Sequence, residues 1–262
     1  MLALGLVCVT CATASADDGS TSRHLLAGVR AFREARYEEA LVELRVVAHA
    51  PDAPSDLAYY LGPTLYKLGR YREALGVFVA SPAADDALTD LYLGETYYQL
   101  RMYRKARAIF SRLRVRGMGP VLDEAAGRYV DAIDLVYATP PSDAAIDAYL
   151  EEASAIAPKD PLIAGEWLDE ARQVEALARP RHRHDEIAAS LGAVWNAAHR
   201  PGAVIEALGG DPAPGAEGAW QLARAYVATR DLGRARAALA AIARQPSAHA
   251  GEARAQLAQL PP

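Results

Sequence analysis

The stretch YYLGPTLYKLGRYREALGVF, from Tyr59 to Phe78, has the pattern of two short helices joined by a tight turn. Apolar residues recur in its first half at the three- and four-residue spacing of one helical face. Gly69 interrupts this pattern, and glycine readily adopts the left-handed conformation that ends many helices. The small residues Gly62 and Ala74 lie where the two helices must approach closely. Because one hairpin cannot cover its own apolar faces, the sequence predicts that it packs against similar neighbours.

The same pattern recurs along the chain. Ala40 lies 34 residues before Ala74, and Ala106 lies 32 residues after it. Each of these alanines follows an aromatic residue by three positions and precedes a large apolar residue by four. Twelve residues before each alanine is a glycine: Gly28, Gly62 and Gly94. Three such pairs at a nearly constant interval indicate an array of helical repeats.

This repeat resembles the tetratricopeptide repeat (TPR), a family of helix-turn-helix units. The resemblance covers about 22–115 and returns at 216–245, where Ala235 has the position of the earlier alanines. It implies an all-α fold in which TPR-like repeats stack into a right-handed superhelical solenoid. It also implies that a protein or peptide partner binds the concave groove formed by the first helices. The resemblance specifies an architecture and leaves the partner open.

The pattern divides the chain into four parts. They are a predicted signal peptide (1–16), three TPR-like repeats (20–116), a run of degenerate helical repeats (117–209), and a C-terminal repeat with a capping helix (216–260). Within the third part, we interpret the helices predicted over 122–137 and 142–157 as a degenerate fourth repeat. The helix predicted over 161–178 has no partner that the sequence assigns.

The N-terminal segment has the character of an export signal. Residues 2–16 are apolar and uncharged, and they end in the small residues that a signal peptidase reads, ASA at 14–16. Unlike most signal peptides, this segment has no Lys or Arg before its apolar core. We therefore expect cleavage before Asp17, export to the periplasm or envelope of a bacterium, and no transmembrane span. Cys8 and Cys11 are the two cysteines of the chain, so the mature protein would contain none. A buried N-terminal helix is the alternative.

Composition and motifs argue against several functional classes. The formal charge of −5 is spread along the chain, whereas a nucleic-acid-binding protein needs a basic face to neutralise phosphates. The sequence contains no glycine-rich phosphate loop, no HExxH zinc motif and no GxSxG nucleophile motif. We therefore predict a protein that is not an enzyme and that has no cofactor and no metal.

The strongest candidate for chemistry is the titratable cluster at 182–186. His182 and His184, together with Asp185 and Glu186, could ligate a metal ion in a metal-dependent enzyme. The sequence indicates no remote third ligand. The other interpretation is a solvated basic turn before a helix whose N-terminus Asp185 caps.

The first helix of each repeat carries the candidate ligand-binding residues. Counting back eight and fifteen positions from the repeat alanines gives the predicted groove residues: Phe32, Tyr59, Tyr66, Leu91, Tyr98 and Trp220. Rings in a groove offer an extended peptide a large contact area at small entropic cost. Alternatively, several of these rings pack between helices.

The TPR family's best-known groove uses Lys, Asn and Arg to hold a chain-terminal carboxylate. Eleven residues before the repeat alanines, this sequence has Val29, Pro63, Glu95 and Arg224, so it lacks that clamp. We predict a scaffold of the cell envelope that binds a protein or peptide partner. The alternatives are a metal-dependent enzyme using His182 and His184, and a cytoplasmic assembly chaperone in which 1–16 belongs to the fold.

Overall fold

The structure, a computed structural model, describes residues 18–51, 53–80, 86–178 and 183–261. Within these ranges the chain forms fourteen α-helices and one 3-10 helix, Ser55–Leu57, with no β-strand. The helices are α1 (Asp18–Arg33), α2 (Tyr37–Ala48), α3 (Ala58–Lys67), α4 (Tyr71–Ala80), α5 (Ala87–Gln99), α6 (Tyr103–Arg116), α7 (Pro120–Val136), α8 (Asp143–Ile156), α9 (Pro161–Glu175), α10 (His184–Ala197), α11 (Pro201–Leu208), α12 (Gly215–Ala228), α13 (Leu232–Arg244) and α14 (Ala250–Gln259). The prediction of an all-α chain of helix-turn-helix repeats is confirmed.

The chain consists of two compact units, Met1–Tyr92 and Leu93–Pro262, and the division falls within α5. The predicted signal peptide at 1–16 lies outside the described residues. None of the helices in the described ranges is both long and apolar enough to cross a membrane.

In the first unit, α1 packs against α2, and α3 packs against α4. The glycine of each first helix allows this close approach, because a side chain there would collide with its partner helix. The Leu44 side chain occupies the space beside Gly28, and the Phe78 ring occupies the space beside Gly62. The sequence placed Gly62 at the helix contact together with Ala74. In the structure Ala74 is fully buried, while the residue in contact with Gly62 is Phe78.

The second unit repeats this device with the same sixteen-residue spacing. A Cβ atom on Gly94 would lie 2.9 Å from the ring of Phe110, so this glycine marks the hairpin of α5 and α6. Gly192 differs, because a Cβ atom there would lie 2.5 Å from Gln221 of α12 and at an ordinary 3.4 Å from Leu208 of α11. Gly192 therefore allows the close approach of α10 to α12. In the C-terminal hairpin, whose Ala235 is fully buried, the place of the glycine is taken by the buried Ala223 and that of the large apolar residue by Leu239.

Glycines in the left-handed conformation lie at several of the turns between helices. Gly69 has a φ of 71° just after the end of α3, and Gly117 has a φ of 69° at the end of α6. Gly119 has a φ of 102° and directly precedes α7. These left-handed values cost glycine little and other residues more, and α3 ends just before Gly69, as the sequence predicted.

The middle of the chain differs from the predicted pairing. Helix α8 packs along α9 rather than forming a hairpin with α7, and α10 covers another side of α9. The shared core contains Ile146 from α8, Val174 from α9 and Ile187 from α10. Helix α9, for which the sequence assigned no partner, is thus buried on most of its surface. Tyr137, at the end of α7, packs against the edge of the same core.

Candidate binding surface

The structure places five of the six predicted groove residues at half-buried positions. In the first unit these are Phe32, Tyr59, Tyr66 and Leu91, and in the second unit Tyr98. Phe32, Tyr66 and Tyr98 each contact a tyrosine of their own second helix and a further tyrosine of a following first helix. We call these groups the first, second and third aromatic sets.

The first set consists of Phe32, Tyr37 and Tyr60. The Phe32 ring centroid lies 5.8 Å from that of Tyr37 and 6.3 Å from that of Tyr60, both in edge-on geometry. Edge-on ring pairs are attractive because the positive ring edge meets the negative ring face. The first set therefore joins helices α1, α2 and α3.

The second set consists of Tyr66, Tyr71 and Tyr92. Its centroid distances are 5.4 Å from Tyr66 to Tyr71 and 5.5 Å from Tyr66 to Tyr92. The ammonium group of Lys67 lies 5.8 Å from the centroid of Tyr66 and 5.3 Å from that of Tyr92. Both distances fall within the range in which a cation is attracted to an aromatic face.

The third set consists of Tyr98, Tyr103 and Tyr129. The Tyr98 centroid lies 5.3 Å from that of Tyr103 and 5.0 Å from that of Tyr129. The Tyr129 ring also stacks on the buried Phe110, with the planes 5° apart and the centroids at 4.4 Å. The Tyr129 hydroxyl donates to the carboxylate of Glu95 over 3.5 Å.

The sequence left open whether these rings line a groove or pack between helices, and the structure has features of both. The rings pack between helices, as edge-on contacts show, and they keep part of their surface accessible. The sequence analysis missed Tyr60, Tyr92 and Tyr129. A usable signal was present for the first two, because both stand fourteen residues before a repeat alanine.

Trp220 does not share this environment. It is 5% exposed and belongs to a core cluster with Leu239 and Ile242. Its indole stacks on the imidazole of His249 at 4.8 Å, and His249 also contacts the carboxylate of Glu217 over 2.5 Å. Trp220 is therefore a core residue, because helix α14 covers the face that the sequence assigned to the groove. His249, the residue that directly precedes α14, is part of this packing.

A buried ionic cluster lies inside the second unit, and no motif predicted it. The Lys105 ammonium group lies 2.7 Å from the carboxylate of Glu166 and 3.0 Å from that of Asp169. The Tyr97 hydroxyl donates to Glu166 over 2.5 Å. Burial alone lowers the pKa of Lys105, but the facing Tyr97, Glu166 and Asp169 oxygens outweigh burial and raise it. Lys105 therefore carries its charge inside the fold.

Glu170, one turn after Glu166 on α9, caps the N-terminus of helix α6. Its carboxylate accepts hydrogen bonds from the backbone N–H groups of Arg104 at 2.7 Å and Lys105 at 3.0 Å. Free N–H groups in the first turn of α6 are thereby satisfied, and the helix dipole favours the negative charge. Burial nevertheless raises the pKa of Glu170 to about 7, against the effect of these two hydrogen bonds.

The cluster proposed for metal binding is only partly described. His182 lies outside the described residues, and the His184 Nε2 atom lies 2.6 Å from the carboxylate of Asp211. Asp185 lies in the first turn of α10 and does not cap it, since the N-cap residue is Arg183. Across the described ranges, no three or more His, Cys, Asp or Glu side chains converge as metal ligands would.

No protein-family model matches this chain, and no curated protein is significantly similar to it. Similar solved structures include the TPR domain of P58(IPK), with 13% identity, 93% of this chain covered and a TM-score of 0.38. This chain spans 65% of the length of that one.

Two further similar structures are also described as TPR proteins. The TPR2AB-domain:pHSP90 complex of yeast Sti1 is 12% identical, with a TM-score of 0.36 and coverage of 92% of this chain and 97% of that one. A TPR repeats protein from Bacteroides fragilis is 16% identical, with a TM-score of 0.32 and coverage of 91% and 96%.

Proposed function

We propose that this chain is a non-enzymatic scaffold that binds a protein or peptide partner through its aromatic sets. The observation that supports the proposal is the recurrence of one arrangement in successive hairpins. In each set a half-buried ring on a first helix contacts two tyrosines at 5.0–6.3 Å. Stacked repeats present equivalent positions at regular intervals, and repeat proteins use such surfaces to bind their partners.

The physics of the sets suits binding. Neighbouring rings hold each ring in place, so a partner that docks there restricts few rotamers on this side of the interface. Tyrosine adds a hydroxyl group that can form hydrogen bonds to a peptide backbone, and it is enriched among interface residues that dominate affinity. The sets therefore offer ordered anchor positions at the interval of the repeat.

Site-specific photo-crosslinking tests this function. A photoreactive amino acid is placed at position 66 or 98, and in control proteins at Val46 on α2 or Val115 on α6, which are 47% and 90% exposed. We expect adducts of one defined partner from positions 66 and 98 and not from the two controls. Equal labelling from all four positions, or none from 66 and 98, would contradict the proposal.

We also propose that the scaffold works in the bacterial cell envelope. The support is the sequence of 2–16, an apolar run that ends in small residues. Protein recovered from the periplasm should begin at or near Asp17. Recovery of an intact N-terminus from the cytoplasm would instead favour the assembly chaperone.

A further inference from the structure

The second aromatic set already holds a cation. The Lys67 ammonium group lies within 6 Å of two ring centroids, those of Tyr66 and Tyr92, although the lysine side chain is exposed and could extend into solvent. At these distances the rings attract the ammonium group, and this attraction opposes the entropy lost when a long side chain is held in one geometry. The position beside these two rings, which contact each other at 5.5 Å, therefore suits an ammonium group.

The third set has nearly the same geometry, but within the described ranges no Lys or Arg side chain is positioned over its rings as Lys67 is in the second set. Its two centroid distances from Tyr98 are 5.3 and 5.0 Å, compared with 5.4 and 5.5 Å from Tyr66 in the second set. Gln99 follows Tyr98 where Lys67 follows Tyr66. An uncharged side chain thus stands at the position from which the second set obtains its ammonium group.

The third set also gains a negative charge. Glu95 precedes Tyr98 by three residues, and the corresponding residue of the second set is the uncharged Pro63. The Glu95 carboxylate is half-buried and accepts the long hydrogen bond from Tyr129. It takes part in no ion pair found among the described residues. A carboxylate beside electron-rich ring faces strengthens the attraction for a cation.

We infer that the third aromatic set, with Glu95, is a binding site for a lysine or arginine side chain of the partner. The inference rests on the proposed function and specifies the chemistry of one partner residue. The incoming cation contacts the Tyr98 and Tyr129 rings and pairs with Glu95, as Lys67 contacts the rings of the second set. One face of Tyr129 is already stacked on Phe110, so the cation contacts the part of the Tyr98–Tyr129 pair that Phe110 does not cover, as Lys67 lies beside the pair of Tyr66 and Tyr92.

The test uses the head of a lysine side chain as the probe. n-Butylammonium is titrated into the full chain carrying 13C-labelled tyrosine rings, and 1-butanol is the uncharged control. Tyr98→Phe and Tyr129→Phe variants assign the ring resonances. With n-butylammonium we expect saturable chemical-shift changes of the Tyr98 and Tyr129 ring resonances. The affinity for 1-butanol should be at least about fivefold weaker, as a cation–aromatic contact with partial desolvation implies.

A pair of reciprocal variants makes the test specific. Gln99→Lys gives the third set an internal cation and should weaken n-butylammonium binding at Tyr98 by at least about fivefold. Lys67→Gln removes the internal cation of the second set and should produce new saturable shifts at Tyr66 and Tyr92. Both positions are exposed, so neither change should alter the thermal melt.

Glu95→Gln separates the rings from the carboxylate and should weaken binding about threefold to fivefold, the range of a partly exposed ion pair. Non-saturable shifts, equal binding of 1-butanol, or no effect of Gln99→Lys would overturn the inference. Those results would leave crosslinking at positions 66 and 98 unaffected, so the failure of this site and the failure of the scaffold function are distinguishable.

Discussion

The ring of Phe78 fills the space in which a side chain on Gly62 would lie. Phe78 is 3% exposed, so its ring cannot move into solvent to make room. The pair fixes how closely α3 approaches α4. Equivalent pairs, sixteen residues apart, join α1 to α2 through Gly28 and Leu44 and α5 to α6 through Gly94 and Phe110.

Replacing Gly62 with alanine should therefore destabilise the chain. We expect a loss of about 1–3 kcal/mol in the free energy of unfolding, the range for overpacking a tight contact. Adding Phe78→Leu should recover part of this loss, because the two side chains compete for one space. Gly202→Ala is the control, since a Cβ atom there meets nothing within 4 Å. Urea denaturation measures all four proteins, and equal effects at Gly62 and Gly202 would refute this packing.

Glu170 should make stability depend on pH. Its pKa is about 7 in the folded chain, above the ordinary 4.5, so the native state binds the extra proton between these values. The free energy of unfolding should consequently rise as the pH falls from 7 to 4.5, by at most about 3 kcal/mol. Asp169 affects stability in a different pH range. Burial raises its pKa, but Lys105 and Arg172 lower it more, so the stabilisation from Asp169 is lost only below about pH 4.

Glu170→Gln should remove the dependence between pH 4.5 and 7, since an amide does not titrate there. Urea denaturation at half-unit pH steps measures the effect. The matched control is Glu151→Gln on the exposed face of α8, which should keep the slope of the parent. A parent-like slope in Glu170→Gln would mean that another group causes it.

Lys105→Met should strongly destabilise the second unit. It removes the cation that lies 2.7 Å from Glu166 and 3.0 Å from Asp169, and it leaves both carboxylates facing a buried methyl group. Breaking one partner of a buried ion pair costs about 3–5 kcal/mol. Glu166→Gln in the same protein should restore part of that loss. If the double variant is no more stable than Lys105→Met, the ion pair does not account for the cost.

Tyr66→Ala should cost less stability than truncation of an enclosed ring. Tyr66 is half-buried and makes two ring contacts, each worth about 0.5–1.5 kcal/mol, so we expect a loss of about 1–3 kcal/mol. Phe78→Ala in the same unit should cost about 3–5 kcal/mol, as other buried aromatic truncations do. Equal losses would show that Tyr66 is a core ring and would remove support for its role in binding.

The sequence predicted what depends on near neighbours in the chain. Helix ends at Gly69 and Gly117, the hairpins, and the repeated glycines are local, because backbone conformation and helical periodicity are set within a few residues. Equivalent positions in the other repeats then followed from the repeat interval of 32–34 residues. This interval assigned Gly94 and Ala106 to a third hairpin, and it assigned Phe32, Tyr66 and Tyr98 to one repeated position, at which each ring contacts two tyrosines.

Residues far apart in the chain decided the rest. In the sequence, Glu166 and Glu170 cannot be distinguished from ordinary surface carboxylates. In the fold, α6, α8 and α10 surround α9, and α6 provides Lys105 and the free N–H groups that these carboxylates contact. Trp220 has the register of a groove residue, but α14 covers it, and no local pattern shows which face a terminal helix covers. A single sequence specifies helices through short-range sterics and periodicity. Burial, ion pairing and the pKa of Glu170 depend on which helices meet, and only the tertiary structure determined that.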